Sequence, residues 1–285
     1  MLGLGRTKSP KLAPAPGVVR DARGRVLYRL PAPGEADLPS ALAFSFYKAG
    51  STLLRKVLED LTPEAGVRLV NLEGELFRLG VEHRKVDRSA SSVFRPRGYC
   101  YGVFRLMPYA YDIPILEDAP KLLLVRDPRD ILVSHYFSMS RSHPTPGSKL
   151  SEIKAERFTK ERERVQVTSV DEHALRKAPM FRKHFAGYAE RLLEQPNLRV
   201  DRYEDIVFDK RRWIDGICEH LGWDVDQTRR AQVASRHDIV PEGEHEDQHI
   251  RRVRPGDHID KLRPETIEAL NEIFAPFLDH YGYDR

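Results

Sequence analysis

The sequence predicts an α/β fold in which a central, mainly parallel sheet is flanked by helices. Three observations lead there. Apolar runs of strand length at residues 41–47 and 121–125 are each followed by a polar turn and then by helical spacing of apolar residues. Further strand and helix segments alternate behind them, as parallel strands require for their crossovers. A chain of 285 residues with 40% hydrophobic composition is also long enough for one well-cored domain.

Residues 1–39 are rich in Pro, Gly, Ala and Arg without a sustained period, and are expected to form a flexible arm with one short strand near 26–30. The domain is expected to occupy residues 40–285. Its first strand runs into Lys48-Ala49-Gly50-Ser51-Thr52, after which Leu53, Leu54, Val57, Leu58 and Leu61 fall at helical spacing. Gly50 admits close backbone approach, Ser51 and Thr52 supply hydroxyls, and the helix start presents unpaired N–H groups to an anion. The lysine precedes the glycine, so the turn is not a Walker A loop, which disfavours an ordinary ATP or GTP hydrolase.

The strand at 121–125 leads into Arg126-Asp127-Pro128-Arg129-Asp130-Ile131-Leu132-Val133-Ser134. Asp127 suits an N-cap and Pro128 a first helical turn. Arg126 and Ser134 are placed to reach one anion in the crevice beyond the strand ends. Residues 99–104 read as a further strand, and 175–193, 213–221 and 267–281 as helices, the second ending near Gly222. Residues 140–171 break the alternation with a Ser/Pro-rich start and a highly charged run, and are expected to be a lid over an acceptor or a surface insertion.

Taken together, the two turns resemble the sulfotransferase superfamily, whose donor is 3′-phosphoadenosine 5′-phosphosulfate (PAPS) and whose product is 3′,5′-adenosine bisphosphate (PAP). In that family a Lys-x-Gly-Thr/Ser-Thr turn holds the 5′-phosphosulfate and an Arg-(Asn/Asp)-Pro-x-Asp-x-x-x-Ser segment holds the 3′-phosphate. Two later segments are similar as well. Tyr203-Glu204-Asp205 looks like the family's late strand end, whose tyrosine lies near the nucleotide. Arg251-Arg252-Val253-Arg254-Pro255-Gly256-Asp257 resembles the loop that closes on the 3′-phosphate. The resemblance implies a nucleotide-kinase-like (P-loop-like) topology and a PAPS-dependent enzyme that needs no metal. It assigns donor binding to Lys48, Ala49, Gly50, Ser51, Thr52, Arg126, Ser134, Tyr203, Arg251 and Arg252.

Three departures from the family pattern matter. Leu53 stands where many members carry a tryptophan for stacking on adenine, and Val253 replaces a loop glycine. Leu106 occupies the position of the histidine that deprotonates small phenols and alcohols. The glycan and protein-tyrosine members use a glutamate after the first helix instead, which implies Glu73 or Glu75 here, beside Lys48 as the catalytic cation. His83, His135 and His143 are further alternatives. The missing histidine keeps a non-catalytic PAP-binding protein open as a second reading, with a P-loop-like kinase as a third.

Composition bounds the rest. The cysteines are Cys100 and Cys218, which fits a reducing compartment without a disulfide framework. No apolar run reaches membrane-span length and the N-terminus lacks a secretory core, so a soluble, cytoplasmic protein is expected. The histidines and cysteines show no usual zinc spacing, His245–His249 included. A net charge of +4 and a pI of 9.0 are modest, and neither a groove-reading element nor an aromatic-basic platform marks a nucleic-acid partner. Tyr99, Tyr101, Tyr109 and Tyr111 fit either an aromatic acceptor wall or core packing. The acceptor, a hydroxyl on a carbohydrate, lipid or small metabolite, is not specified by any motif, nor is the oligomeric state.

Overall fold

The computed structural model of the chain describes residues 17–81, 86, 88–142, 152–239 and 254–285. Five strands form one parallel sheet: β3 (Ala41–Ser45), β4 (Arg68–Val70), β5 (Tyr99–Phe104), β6 (Lys121–Val125) and β7 (Leu198–Arg202), in the order β4-β5-β3-β6-β7. Two shorter strands, β1 (Val18–Arg20) and β2 (Val26–Arg29), pair antiparallel beside it. The strands at 99–104 and 121–125 fall where the apolar runs put them.

Alternation along the strands divides the interior in two. Leu42, Phe44, Tyr101, Leu123 and Val125 face one layer, built from α3 (Pro128–Phe137), α5 (Val170–Leu192) and α10 (Pro264–Tyr281). Ala41, Ala43, Cys100, Leu122 and Leu124 face the other, built from α1 (Ser51–Leu61), α7 (Lys210–Leu221) and α8 (Gln227–His237). The small Ala41 and Ala43 let α1 lie close, and Leu54, Val57, Leu58 and Leu61 bury its inner stripe.

After β3 the chain crosses to β4 at one edge, whereas after β6 it continues to β7 at the other. The strand order therefore reverses between β3 and β6, whose ends are in register with Ser45 opposite Leu124. Open α/β sheets bind ligands in the crevice at such a reversal. The turns that follow β3 and β6 leave the sheet there.

The remaining helices are α2 (Leu72–Arg78), α4 (Glu152–Gln166), α6 (Tyr203–Ile206) and α9 (Asp257–Lys261). Of the expected helices, α5 starts earlier than residue 175 because Ser169 and Glu172 form a capping box. Likewise α7 starts at Lys210 on the Asp209 cap.

Within the expected arm the short strand near 26–30 is β2, and it forms a hairpin with β1. Val18 and Val19 are buried, Tyr28 and Leu30 pack on the core, and Asp21 closes the hairpin by accepting from the Arg23 and Arg25 N–H groups. Four aliphatic and aromatic side chains anchor the segment despite its turn-rich composition. In the expected lid region, α4 is tied to α5 by Glu161, which pairs with Arg176 and Lys177 at 2.9 and 2.6 Å. A cleft of about 490 Å³ lies at that junction, lined by Tyr136, Phe137, Ser140, Gln166 and Val170. Among the described residues no helix is long and apolar enough to cross a membrane.

Candidate active site

The turn after β3 takes its shape from two left-handed residues, Lys48 at φ 65° and Gly50 at φ 87°. Gly50 is the N-cap of α1 and has no side chain to satisfy the helix start. The first intrahelical bond runs from Leu54 N–H to the Gly50 carbonyl at 3.0 Å, so the N–H groups of Ser51, Thr52 and Leu53 precede the helical ladder. A side chain at position 50 would also clash, since its Cβ would lie 2.9 Å from Tyr203 Cδ2. Ala49 is fully buried beneath the turn.

Arg126 joins this turn to the second one. Its guanidinium is buried, lies 4.7 Å from the centre of the Tyr203 ring, and donates from Nη1 to the Lys48 carbonyl at 3.2 Å. Its Nε has no hydrogen-bond partner among the described residues. A buried guanidinium N–H without an acceptor carries a desolvation cost that an anionic ligand would offset. Lys48, Gly50, Arg126 and Tyr203, drawn from three sequence segments, are thus brought together.

Asp130 sits one helical turn beyond Arg126, fully buried. Its carboxylate accepts from Gly256 N–H at 2.9 Å, from His258 N–H at 3.0 Å and from His258 Nδ1 at 2.7 Å, and faces Arg126 Nη2 at 3.6 Å. Burial by itself raises the Asp130 pKa, but the His258 hydrogen bonds and the Arg126 charge outweigh it and hold the carboxyl well below the usual range. Asp130 therefore fastens the end of the Arg251–Asp257 segment to the start of α3. Arg251, Arg252 and Val253 themselves lie outside the described residues, as do His83, His143, His245 and His249. Ser134 is half-buried on α3, four residues after Asp130 and so on the same helical face.

A depressed carboxylate stabilises the fold fully above its unfolded pKa of about 3.9, and that stabilisation is lost as pH falls toward the folded value. The Tm gap between wild type and Asp130→Asn is expected to narrow as pH is lowered from about 6 to about 3. Thermal denaturation across that range checks it, and a constant gap would contradict it.

The two candidate glutamates part company. Positions 73 and 75 lie some 200° apart around a helix, so only one can face the sheet. Glu73 does: it is buried, accepts from Arg105 N–H through Oε2 at 2.7 Å, and pairs with Arg105 Nε through Oε1 at 2.7 Å. Arg105 in turn lies 4.9 Å from the centre of the Tyr47 ring, next to Lys48 in sequence. Glu75 is on the opposite side, paired with Arg78 at 2.8 Å and close enough to the β1–β2 hairpin to add to the burial that pushes the Tyr28 pKa up to about 12.

His135 faces α5 and not the turns. Its Nδ1 meets His173 Nε2 at 2.9 Å, and Arg176 donates to His173 Nδ1 at 3.2 Å. Arginine only donates, so His173 carries its proton on Nε2 and gives that hydrogen bond to His135. Burial, with Arg176 and Lys177 nearby, pushes the His173 pKa down to about 4. The four tyrosines also sort by structure: Tyr99 and Tyr101 are buried and donate to the carbonyls of Pro31 and Val93, Tyr111 is buried, and Tyr109 is exposed beneath Arg191.

Two residues of the site escaped sequence reasoning. Arg105 directly follows β5, just as Arg126 follows β6, and a charged residue abutting a buried parallel strand is the signal that marks both. Tyr188 had no such signal, being one of several apolar-face residues on α5; its hydroxyl donates to the Ser45 and Phe104 carbonyls at 3.0 and 2.8 Å and bridges the ends of β3 and β5. Among the described residues no group of three or more His, Cys, Asp or Glu side chains is gathered as a metal site.

Fold and site together define an α/β protein with two turns side by side at a strand-order reversal, one with open helix-start N–H groups and one carrying a buried arginine. The family model for the sulfotransferase domain matches residues 109–282, more than half of the chain. The chain belongs to the sulfotransferase family and is a sulfotransferase. The structure of mouse sulfotransferase SULT7A1 complexed with PAP is similar at a TM-score of 0.57 and 14% identity, over 91% of this chain and 94% of that one. Retinol dehydratase in complex with androsterone and inactive cofactor PAP aligns at a TM-score of 0.46 and 17% identity, over 88% of this chain and 83% of that one. No curated protein sequence matches the chain. The family match begins after the β3–α1 turn, whose place in the site rests on its packing with Arg126 and Tyr203.

Proposed function

We propose that this sulfotransferase moves the sulfuryl group of PAPS to a hydroxyl of a carbohydrate, lipid or small-metabolite acceptor, with Glu73 as general base. The observation that carries the donor assignment is Arg126: buried, stacked on Tyr203, bonded to the Lys48 carbonyl, and with no partner for its Nε among the described residues. A 3′-phosphate beside it would accept that N–H, with Ser134 on α3 four residues after Asp130 and the Gly256 backbone fastened by the same Asp130. The 5′-phosphosulfate would then fall at the start of α1, on Lys48 and on the Ser51 and Thr52 N–H and hydroxyl groups.

In this mechanism the acceptor oxygen attacks sulfur in line as the bond from sulfur to the phosphate oxygen breaks, and PAP leaves. Negative charge grows on the departing phosphate, where Lys48 and the helix start stabilise it. The acceptor proton passes to the Glu73 carboxylate. Arg105 orients that carboxylate by two hydrogen bonds and itself lies over the Tyr47 ring, beside Lys48 in sequence, which supports the base assignment. Glu75 is paired on the opposite face of α2 and takes no part.

Glu73→Gln keeps an acceptor oxygen for Arg105 but removes the base. It is expected to lower kcat for sulfuryl transfer about 10²–10⁴-fold while the calorimetric affinity for PAP stays within about twofold. Full transfer activity in this variant would exclude Glu73 as base. Retained PAP affinity in a wild-type protein that transfers to no hydroxyl acceptor would instead favour the non-catalytic reading that the absent histidine at Leu106 leaves open.

A further inference from the structure

Two of the turns that carry donor-site residues in this reading, those of Arg126 and Tyr203, are held from behind by the segment that follows α10. The backbone N–H of Asp127, adjacent to Arg126, donates to Glu204 Oε1 at 3.0 Å. Glu204, adjacent to Tyr203, accepts through its other oxygen from the Tyr283 hydroxyl at 2.9 Å. One carboxylate therefore links the turn of Arg126, the turn of Tyr203 and residue 283.

A second strand of contacts runs in parallel. Arg129 grips the Asp127 carboxylate with Nε at 3.0 Å and Nη2 at 2.7 Å, and donates further to the Asp284 carbonyl and to Asn271 Oδ1, both at 2.7 Å. Arg202 lies 4.3 Å from the centre of the Tyr283 ring and donates to the Tyr281 and Gly282 carbonyls at 3.2 and 3.0 Å. Asp127, Arg129 and Tyr283 are all buried. Buried charged networks contribute little net stability over apolar packing of the same volume, so their value lies in fixing one geometry. The geometry fixed here is the distance and tilt between Arg126 and Tyr203.

We propose that residues 281–284 form a clasp in which Tyr283, Glu204 and Arg129 are positioning residues for Arg126 and Tyr203, and that this clasp sets the selectivity of the site for a 3′-phosphorylated nucleotide. The inference rests on the donor site proposed above. None of the three need touch the nucleotide. They act by holding the guanidinium that meets the 3′-phosphate against the ring on which it lies, so loosening them costs the 3′-phosphate contact more than the contacts to the Ser51 and Thr52 N–H groups, which the Gly50 cap and α1 themselves set.

The test is the ratio of affinities for PAP and for 5′-AMP, measured by calorimetry on the full chain for wild type, Tyr283→Phe and Glu204→Gln. Tyr283→Phe removes one hydroxyl and keeps the ring beneath Arg202; Glu204→Gln keeps the shape and leaves only one accepting oxygen. Losing a hydrogen bond to a buried charged group is expected to lower the PAP to 5′-AMP ratio about fivefold to tenfold in each variant, with 5′-AMP affinity within about twofold of wild type. A ratio unchanged in both variants, whether the two affinities fall together or not at all, overturns the clasp and leaves the donor site standing. A wild-type protein with no preference for PAP overturns both.

Discussion

Lys48→Ala is expected to lower kcat on the order of 10²–10³-fold, the effect of removing one preorganised donor from a developing oxyanion. The loss should fall on turnover and not on the fold of the turn. Lys48 already holds a left-handed φ of 65° as a residue with a Cβ, and Arg126 bonds its backbone carbonyl, so alanine can keep both features. Single-turnover transfer from PAPS, read beside PAP affinity, separates the two effects. A kcat within about threefold of wild type would remove Lys48 from the chemistry.

Arg126→Ala is expected to weaken PAP binding on the order of 10²-fold while 5′-AMP binding changes by less than about threefold, because the lost contact is to the 3′-phosphate alone. Asp130 would keep its hydrogen bonds from Gly256 and His258, which limits the collateral damage to the loop. A melting curve recorded with each titration identifies any general loss of structure. Equal weakening of both nucleotides would mean that Arg126 braces the turn and does not read the 3′-phosphate.

Much of this site was legible because it is made of local chemistry. The strand, glycine turn and helix around Gly50 announce themselves through apolar period and hydroxyl placement, and Arg126 to Ser134 through a cap, a first-turn proline and a regular helical face. The parts that were not legible are long-range. Nothing local says that Asp130 fastens Gly256 and His258, 126 and 128 residues away, or that Glu204 answers to Tyr283. The choice between Glu73 and Glu75 needed the direction of α2, which the Asn71 cap and the burial of Leu72 and Leu76 fix only once the sheet is present.

The β1–β2 hairpin was legible only in part, as the short strand near 26–30 that is β2. Strand β1 is 3 residues long, too short for period-2 alternation to stand out against the surrounding Pro and Gly. Helix α8 buries only Val233 and Ala234, so its sequence shows almost no apolar stripe; it is held by Arg236 and His237 bonding Asp60 of α1. Where a segment is held by polar contacts to a distant element, hydrophobic patterning has little to report.

The central claim is that Arg126 and its neighbours form a site for a 3′-phosphorylated adenine nucleotide. Calorimetric titration of the full chain with PAP, beside 5′-AMP and ATP with magnesium, tests it most directly. Preference for PAP over both, by at least about tenfold, is the result expected here; preference for ATP, or no binding of PAP, would contradict it.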